Sequence, residues 1–157
     1  MLIEKGKRML LLRFSNYKKY DFIECHKDLI EKNGFVWMIK MGKPLPKPNL
    51  DSVVNDGGTL ILKAPKSCGG NLYIAKILEC YNGIPSEEMT FPAYYHVMEK
   101  DDNIWMLGYS LDGSWFKITD LSILSNEDAS RIRLISNGKL AVDVLDSTRT
   151  SVMYVTV

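Results

Sequence analysis

Apolar positions change their period along the chain, and the changes mark the elements. Arg8 to Phe14 holds the run Met9-Leu10-Leu11-Leu12, which predicts a short buried strand. Phe22, Ile23, His26, Leu29 and Ile30 then fall on one helical stripe. Asp21 occupies the N-cap position with Glu24 three residues later, and Asn33-Gly34 supplies a left-handed stop, so a helix is expected between them. Phe35 to Lys40 reads as a strand bounded by Gly34 and Gly42. Pro44, Pro46 and Pro48 have no N–H for a sheet and impose an extended connector. A short helix follows, with Leu50, Val53 and Val54 on one face and Gly57-Gly58 at its end. Thr59 to Lys63 is the next strand, Ala64 to Asn71 a loop, and Leu72 to Tyr81 a long strand.

The second half reads as mostly extended. Asn82 to Thr90 is a polar loop, and Tyr94–Met98, Ile104–Tyr109 and Trp115–Ile123 are expected strands. Asp101-Asp102-Asn103 and Asp112-Gly113 separate them as turns. Asn137-Gly138 between Arg131–Ile135 and Lys139–Val144 is a strong hairpin signal, and Ser151 to Val157 closes as a strand. Strands do not alternate regularly with helices, so a doubly wound sheet is disfavoured. The expectation is an α+β fold in one domain, 1–157: a small mixed or antiparallel β-barrel with two flanking helices near the N-terminus. Closure into a barrel would remove the exposed edges of so many short strands.

Composition narrows the function classes. The 157 residues, 46% hydrophobic and 25% charged, are enough for one domain with a true core. A formal charge of +1 excludes an argument from whole-molecule attraction to nucleic acid or membrane. The charge is uneven, however. Residues 1–50 hold eleven lysines and arginines against five acids, and the remainder holds nine against fourteen. Lys40, Lys43 and Lys47, followed by Lys63 and Lys66, can give one basic face, the plainer alternative being lysines that simply solvate the surface. Cys25, Cys68 and Cys80 are odd in number and fit no zinc or disulfide spacing, which favours a reducing compartment. The run Met9–Leu12 is too short for a signal sequence or a membrane span, so a cytoplasmic protein without membrane contact is expected.

No catalytic motif is present. His26 lies on the apolar helix stripe and reads as a packing residue; Cys25 beside it points about a hundred degrees away, which rules out a Cys–His dyad. His96 would share a strand face with Tyr94. Cys68 sits in Lys66-Ser67-Cys68-Gly69-Gly70, which lacks the order of a P-loop but has glycines that would let backbone amides approach a phosphate. Glu87-Glu88 and Asp101-Asp102 read as solvated loop acids, and neither a metal motif nor a cofactor motif appears. The aromatics are the strongest chemical feature: Trp37, Tyr94, Tyr95, Trp105, Tyr109, Trp115 and Phe116 gather in the strand-rich region. An aromatic face beside a lysine can stack a base while the cation meets a phosphate, although rings on strands are more often core.

The succession Phe35-Val36-Trp37-Met38-Ile39-Lys40, Leu60-Ile61-Leu62-Lys63-Ala64-Pro65, Leu72-Tyr73-Ile74-Ala75-Lys76-Ile77, Phe91-Pro92-Ala93-Tyr94-Tyr95 and Ser114-Trp115-Phe116-Lys117-Ile118 resembles the PUA-like superfamily, and within it the EVE branch. The resemblance covers residues 35–123. It implies a small β-barrel with flanking helices that reads modified bases in DNA or RNA through an aromatic pocket. By that resemblance Trp37 and Lys40 match the first strand of the pocket, Trp115 a late strand, and Tyr94 and Tyr95 its walls. The resulting expectation is a nucleic-acid-binding module in which Trp37, Tyr94 and Trp115 stack. Lys40, Lys43, Lys63 and Lys66 are expected to contact the nucleic-acid backbone. The alternatives are a small-ligand or protein-interaction domain, favoured by the eight methionines, and a hydrolase using His96, Cys68 or Tyr95.

Overall fold

The computed structural model describes residues 3–101 and 111–157. In chain order the elements are β1 (Met9–Arg13), α1 (Phe22–Asn33), β2 (Val36–Met41), α2 (Lys47–Asn55), β3 (Thr59–Lys63), a 3-10 turn (Lys66–Cys68), β4 (Leu72–Gly83), α3 (Tyr94–Glu99), β5 (Gly113–Ile123), α4 (Asn126–Ala129), β6 (Arg133–Leu134), α5 (Ala141–Leu145) and β7 (Val152–Thr156). The seven strands form one mixed sheet in the order β2-β5-β4-β3-β1-β7-β6. The expected strand at Ile104–Tyr109, with Trp105 and Tyr109, lies outside the described residues. No helix among the described residues is long and apolar enough to cross a membrane.

The chain divides into two compact units. Unit one comprises the residues up to Ser15, Asp51–Ile77 and Asp120–Val157; unit two comprises Asn16–Leu50 and Leu78–Thr119. In unit one, β1 pairs parallel with β3, Leu10 opposite Leu60, and antiparallel with β7, Leu10 opposite Tyr154. β3 pairs antiparallel with β4, and β6 with β7. The uninterrupted apolar runs of β1 and β3 are buried throughout, as strands covered on both faces require. Met9, Leu11, Ile61 and Ile74 form one side of a core completed by Ile132, Ala141, Leu145 and Val155. At the start of β3, Gly58 takes φ +69°, and a Cβ there would stand 2.5 Å from the Ile77 carbonyl oxygen, so only glycine fits.

Unit two is built on β2 and β5, antiparallel with Ile39 opposite Trp115 and Trp37 opposite Lys117. The Asp21 carboxylate accepts from the Glu24 N–H at 2.9 Å, and Gly34 closes α1 with φ 85°, as its sequence signals predict. Phe22 and His26, one turn apart, are the buried residues of that helix.

Three sequence expectations are corrected. The sheet does not close into a barrel. Its edges are protected locally instead: on β2, Trp37 N–H donates to the Thr90 carbonyl at 2.9 Å and Ile39 N–H to the Tyr95 hydroxyl at 3.4 Å. At the other edge β6 is only two residues long, which leaves little to pair. Tyr94–Met98 is helix α3, not a strand. Tyr94, Tyr95 and Met98 are buried while His96 and Val97 are exposed, a helical spacing, so Tyr94 and His96 do not share a strand face. The Asn137-Gly138 turn forms, with Leu134 N–H bonded to the Lys139 carbonyl, but its second arm winds into α5 because Ala141 and Leu145, one turn apart, both reach the core. Beyond the two expected N-terminal helices, α3, α4 and α5 are therefore additional.

Candidate functional site

Unit two gathers the aromatic residues. Trp37, Tyr94, Tyr95 and Trp115 belong to one buried cluster with Ile39, Met98 and Leu111, rimmed by Tyr17, Tyr20, Phe35 and Phe91. Strand alternation and the register put Trp37 and Trp115 on the same face of β2 and β5. Trp115 is fully buried, and its Nε1 donates to the carbonyls of Gly83 and Leu111, both at 3.2 Å. Its ring lies 5.1 Å from Phe91 and 5.9 Å from Tyr95; Tyr94 stacks on Tyr20 at 5.2 Å and meets Tyr95 edge-on at 5.0 Å. The structure thus brings the four predicted rings into one buried cluster, with only 0–6% of each exposed.

His26 completes the cluster and was expected as packing. Its Nδ1 lies 2.6 Å from the Phe22 carbonyl and its Nε2 2.6 Å from the Tyr95 hydroxyl. A carbonyl only accepts, so Nδ1 carries the proton and Nε2 accepts from the tyrosine. Complete burial pushes the imidazole pKa down from 6.5 to about 4, against a smaller opposing contribution from the Phe22 carbonyl. Burial likewise pushes the Tyr94 and Tyr95 hydroxyls up. This pair is neutral and structural near neutral pH.

The predicted lysines divide. On β2 Lys40 alternates to the face opposite Trp37, and its ammonium donates to the Met41 carbonyl at 2.9 Å. Lys43 is exposed in the turn after Gly42. Lys63 and Lys66 belong to unit one, where β1 and β3 end together with Arg13 opposite Lys63. Lys63 is only 8% exposed, and its ammonium donates to the Gly70 carbonyl. The loop permits this because Gly70, at φ +67°, has no Cβ: one there would lie 3.2 Å from the Lys63 Nζ. Desolvation lowers the Lys63 pKa, and the Arg13 and Lys66 charges push the same way against Asp146. Lys66 is exposed and stands 3.9 Å from Asp146.

Sequence reading missed Arg13. Its guanidinium donates to the carbonyls of Leu145 at 2.5 Å, Thr148 at 2.7 Å and Thr150 at 2.9 Å, closing the end of α5. The only sequence signal was an arginine ending an apolar strand. Unit one as a whole carries eleven lysines and arginines against eight acids, whereas unit two carries nine against eleven. The cation-rich end of β1 and β3 is an electrostatic setting suited to an anion.

The residues considered for hydrolysis stand in unlike settings. His96 is exposed with Nδ1 3.2 Å from the Glu99 carboxylate, Tyr95 is buried, and Cys68 is exposed with Sγ 3.8 Å from the Ser67 hydroxyl. Among the described residues no three His, Cys, Asp or Glu side chains are grouped to hold a metal. No protein-family model matches the chain, and neither a curated protein nor a solved structure matches it.

Proposed function

We propose that this chain binds DNA or RNA through the phosphate backbone, at the end of unit one where Arg13, Lys63 and Lys66 meet. One observation carries the reading: a lysine more than nine-tenths buried, with two cationic neighbours and, among the described residues, Asp146 as the acid acting on it. Three positive charges against one leave a local deficit of negative charge, which a phosphate would offset. Arg13 is held by three carbonyls and contributes its field, while Lys66, on an exposed turn and 3.9 Å from Asp146, can exchange that exposed pairing for a phosphate. The PUA-like resemblance favours the same class of partner. In this reading the rings of unit two act as framework, and no base pocket is assigned to them.

The test is fluorescence anisotropy with a short single-stranded DNA and the matching RNA across a salt series. Affinity is expected to fall with salt at a slope of about −0.7 per phosphate neutralised. Lys66→Ala should weaken every sequence alike and reduce the steepness by about one contact. Lys63→Met should weaken binding while leaving thermal stability unchanged or raised, because it removes a desolvated charge beside like charges. Absent binding, or binding indifferent to salt and to both substitutions, refutes the proposal.

A further inference from the structure

We propose that a second site in unit one, independent of the anion corner, binds a small zwitterion of dipeptide size. The site is a groove of about 460 Å³ at the opposite end of β3, where the strand begins. Glu4, Lys7, Asp56, Thr59, Lys76 and Asp120 contribute to its lining. None of its lining residues is apolar, which disfavours lipids and flat aromatic ligands.

Three observations define the chemistry. First, the charges are of both signs and are not used on each other: among the described residues no ion pair joins Lys7 or Lys76 to Glu4, Asp56 or Asp120. An anion alone would meet three carboxylates, and a cation alone two ammonium groups. A molecule with an ammonium at one end and a carboxylate at the other is matched at both. Second, Thr59 lines the groove, and its side chain makes no hydrogen bond among the described residues. A hydroxyl that the protein leaves unmatched and open to the groove is one a ligand can satisfy. Third, the groove is anchored. Thr59 and Lys76 are direct cross-strand partners, and the Asp56 carboxylate is fixed by accepting the Arg8 N–H at 2.9 Å. Asp120, at φ +55°, takes the left-handed conformation that aspartate adopts more readily than most residues. A dipeptide spans about 7 Å from amine to carboxylate, so the two ends engage different side chains of one groove.

The probe is the dipeptide Ala-Ala, titrated into the isotopically labelled full chain and followed by amide chemical shifts. Two controls are N-acetyl-Ala-Ala, which lacks the ammonium, and Ala-Ala amide, which lacks the carboxylate. Ala-Ala should move the amides of Thr59 and Lys76 in a saturable way, and each blocked form should bind about tenfold weaker or worse, the equivalent of one lost charge pair. Lys76→Gln should weaken Ala-Ala but leave the weaker binding of the amide unchanged. Thr59→Val keeps the side-chain shape and should lower affinity severalfold without lowering thermal stability. No saturable shift at these amides at millimolar Ala-Ala, or equal binding of the blocked forms, overturns the proposal. Oligonucleotide binding at the anion corner can fail or succeed without changing this outcome, because the readout is at the other end of the strand.

Discussion

The Nε2 of His26 lies 2.6 Å from the hydroxyl of Tyr95, a contact between α1 and α3 across 69 residues of chain, made inside the core by two uncharged groups. The geometry requires the imidazole to accept, so a proton added at Nε2 removes the bond and places a charge where water is excluded. The histidine pKa is about 4 when folded and 6.5 when unfolded, so the unfolded chain binds more protons in that window. Stability is therefore fully present above pH 6.5 and declines as pH falls toward 4, by about 3 kcal/mol in all. Urea unfolding at pH 7.5, 5.5 and 4.5 checks the sign. In His26→Gln the decline over this window should disappear, though that variant starts from lower stability.

Tyr95→Phe removes the donor to His26 and the acceptor for Ile39 N–H while keeping the ring against Phe91 and Trp115. The loss should be about 1–3 kcal/mol, the cost of leaving buried polar groups unmatched. Near neutral pH the variant should show the same tryptophan fluorescence maximum as the parent but a lower urea midpoint. An unchanged midpoint would show that the hydroxyl contributes nothing.

Arg13→Lys keeps the charge but replaces a planar fork that serves three carbonyls with a single ammonium. A loss of about 1–3 kcal/mol is expected, with faster hydrogen exchange concentrated in residues 145–150. Uniformly faster exchange throughout unit one would argue against a local tie.

Gly58→Ala and Gly138→Ala form a matched pair. Both positions have positive φ, +69° and +73°, but a Cβ at 138 meets nothing within 4 Å whereas one at 58 meets the Ile77 oxygen at 2.5 Å. The Gly138 change should cost about 1 kcal/mol from backbone strain alone. Gly58→Ala should cost well beyond that, because β3 must separate from Ile77 on β4. Equal melting temperatures for the two variants would contradict the close approach.

Local signals were the legible part of this sequence. Asp21, Glu24 and Gly34 fix α1 through bonds within a few residues, and Thr59–Lys63 has the length and content of the strand it forms. α3 was misread because Tyr94 and Tyr95 have high strand propensity, while their burial beside Met98 is decided by Phe91, Trp115 and His26 from elsewhere in the chain. The same holds for the site. The sequence marked Lys63 and Lys66 as cations, but the third cation, Arg13, joins them only through the parallel register of β1 with β3. Trp37 and Trp115 were brought together in the sequence reading only by the family resemblance; what places them on one face is the β2–β5 register, and they are buried in one cluster with the α3 rings, neither of which alternation within a single strand gives.

The position of β1 carries a consequence for how unit one is assembled. β1 is clasped between β3, some fifty residues later, and β7, some hundred and forty residues later. Until Val152–Thr156 have been synthesised, the edge of a leucine-rich strand stands open, a ready template for pairing with a neighbouring molecule. Loss of the last six residues is thus a hazard of clumping during synthesis as much as a loss of contacts.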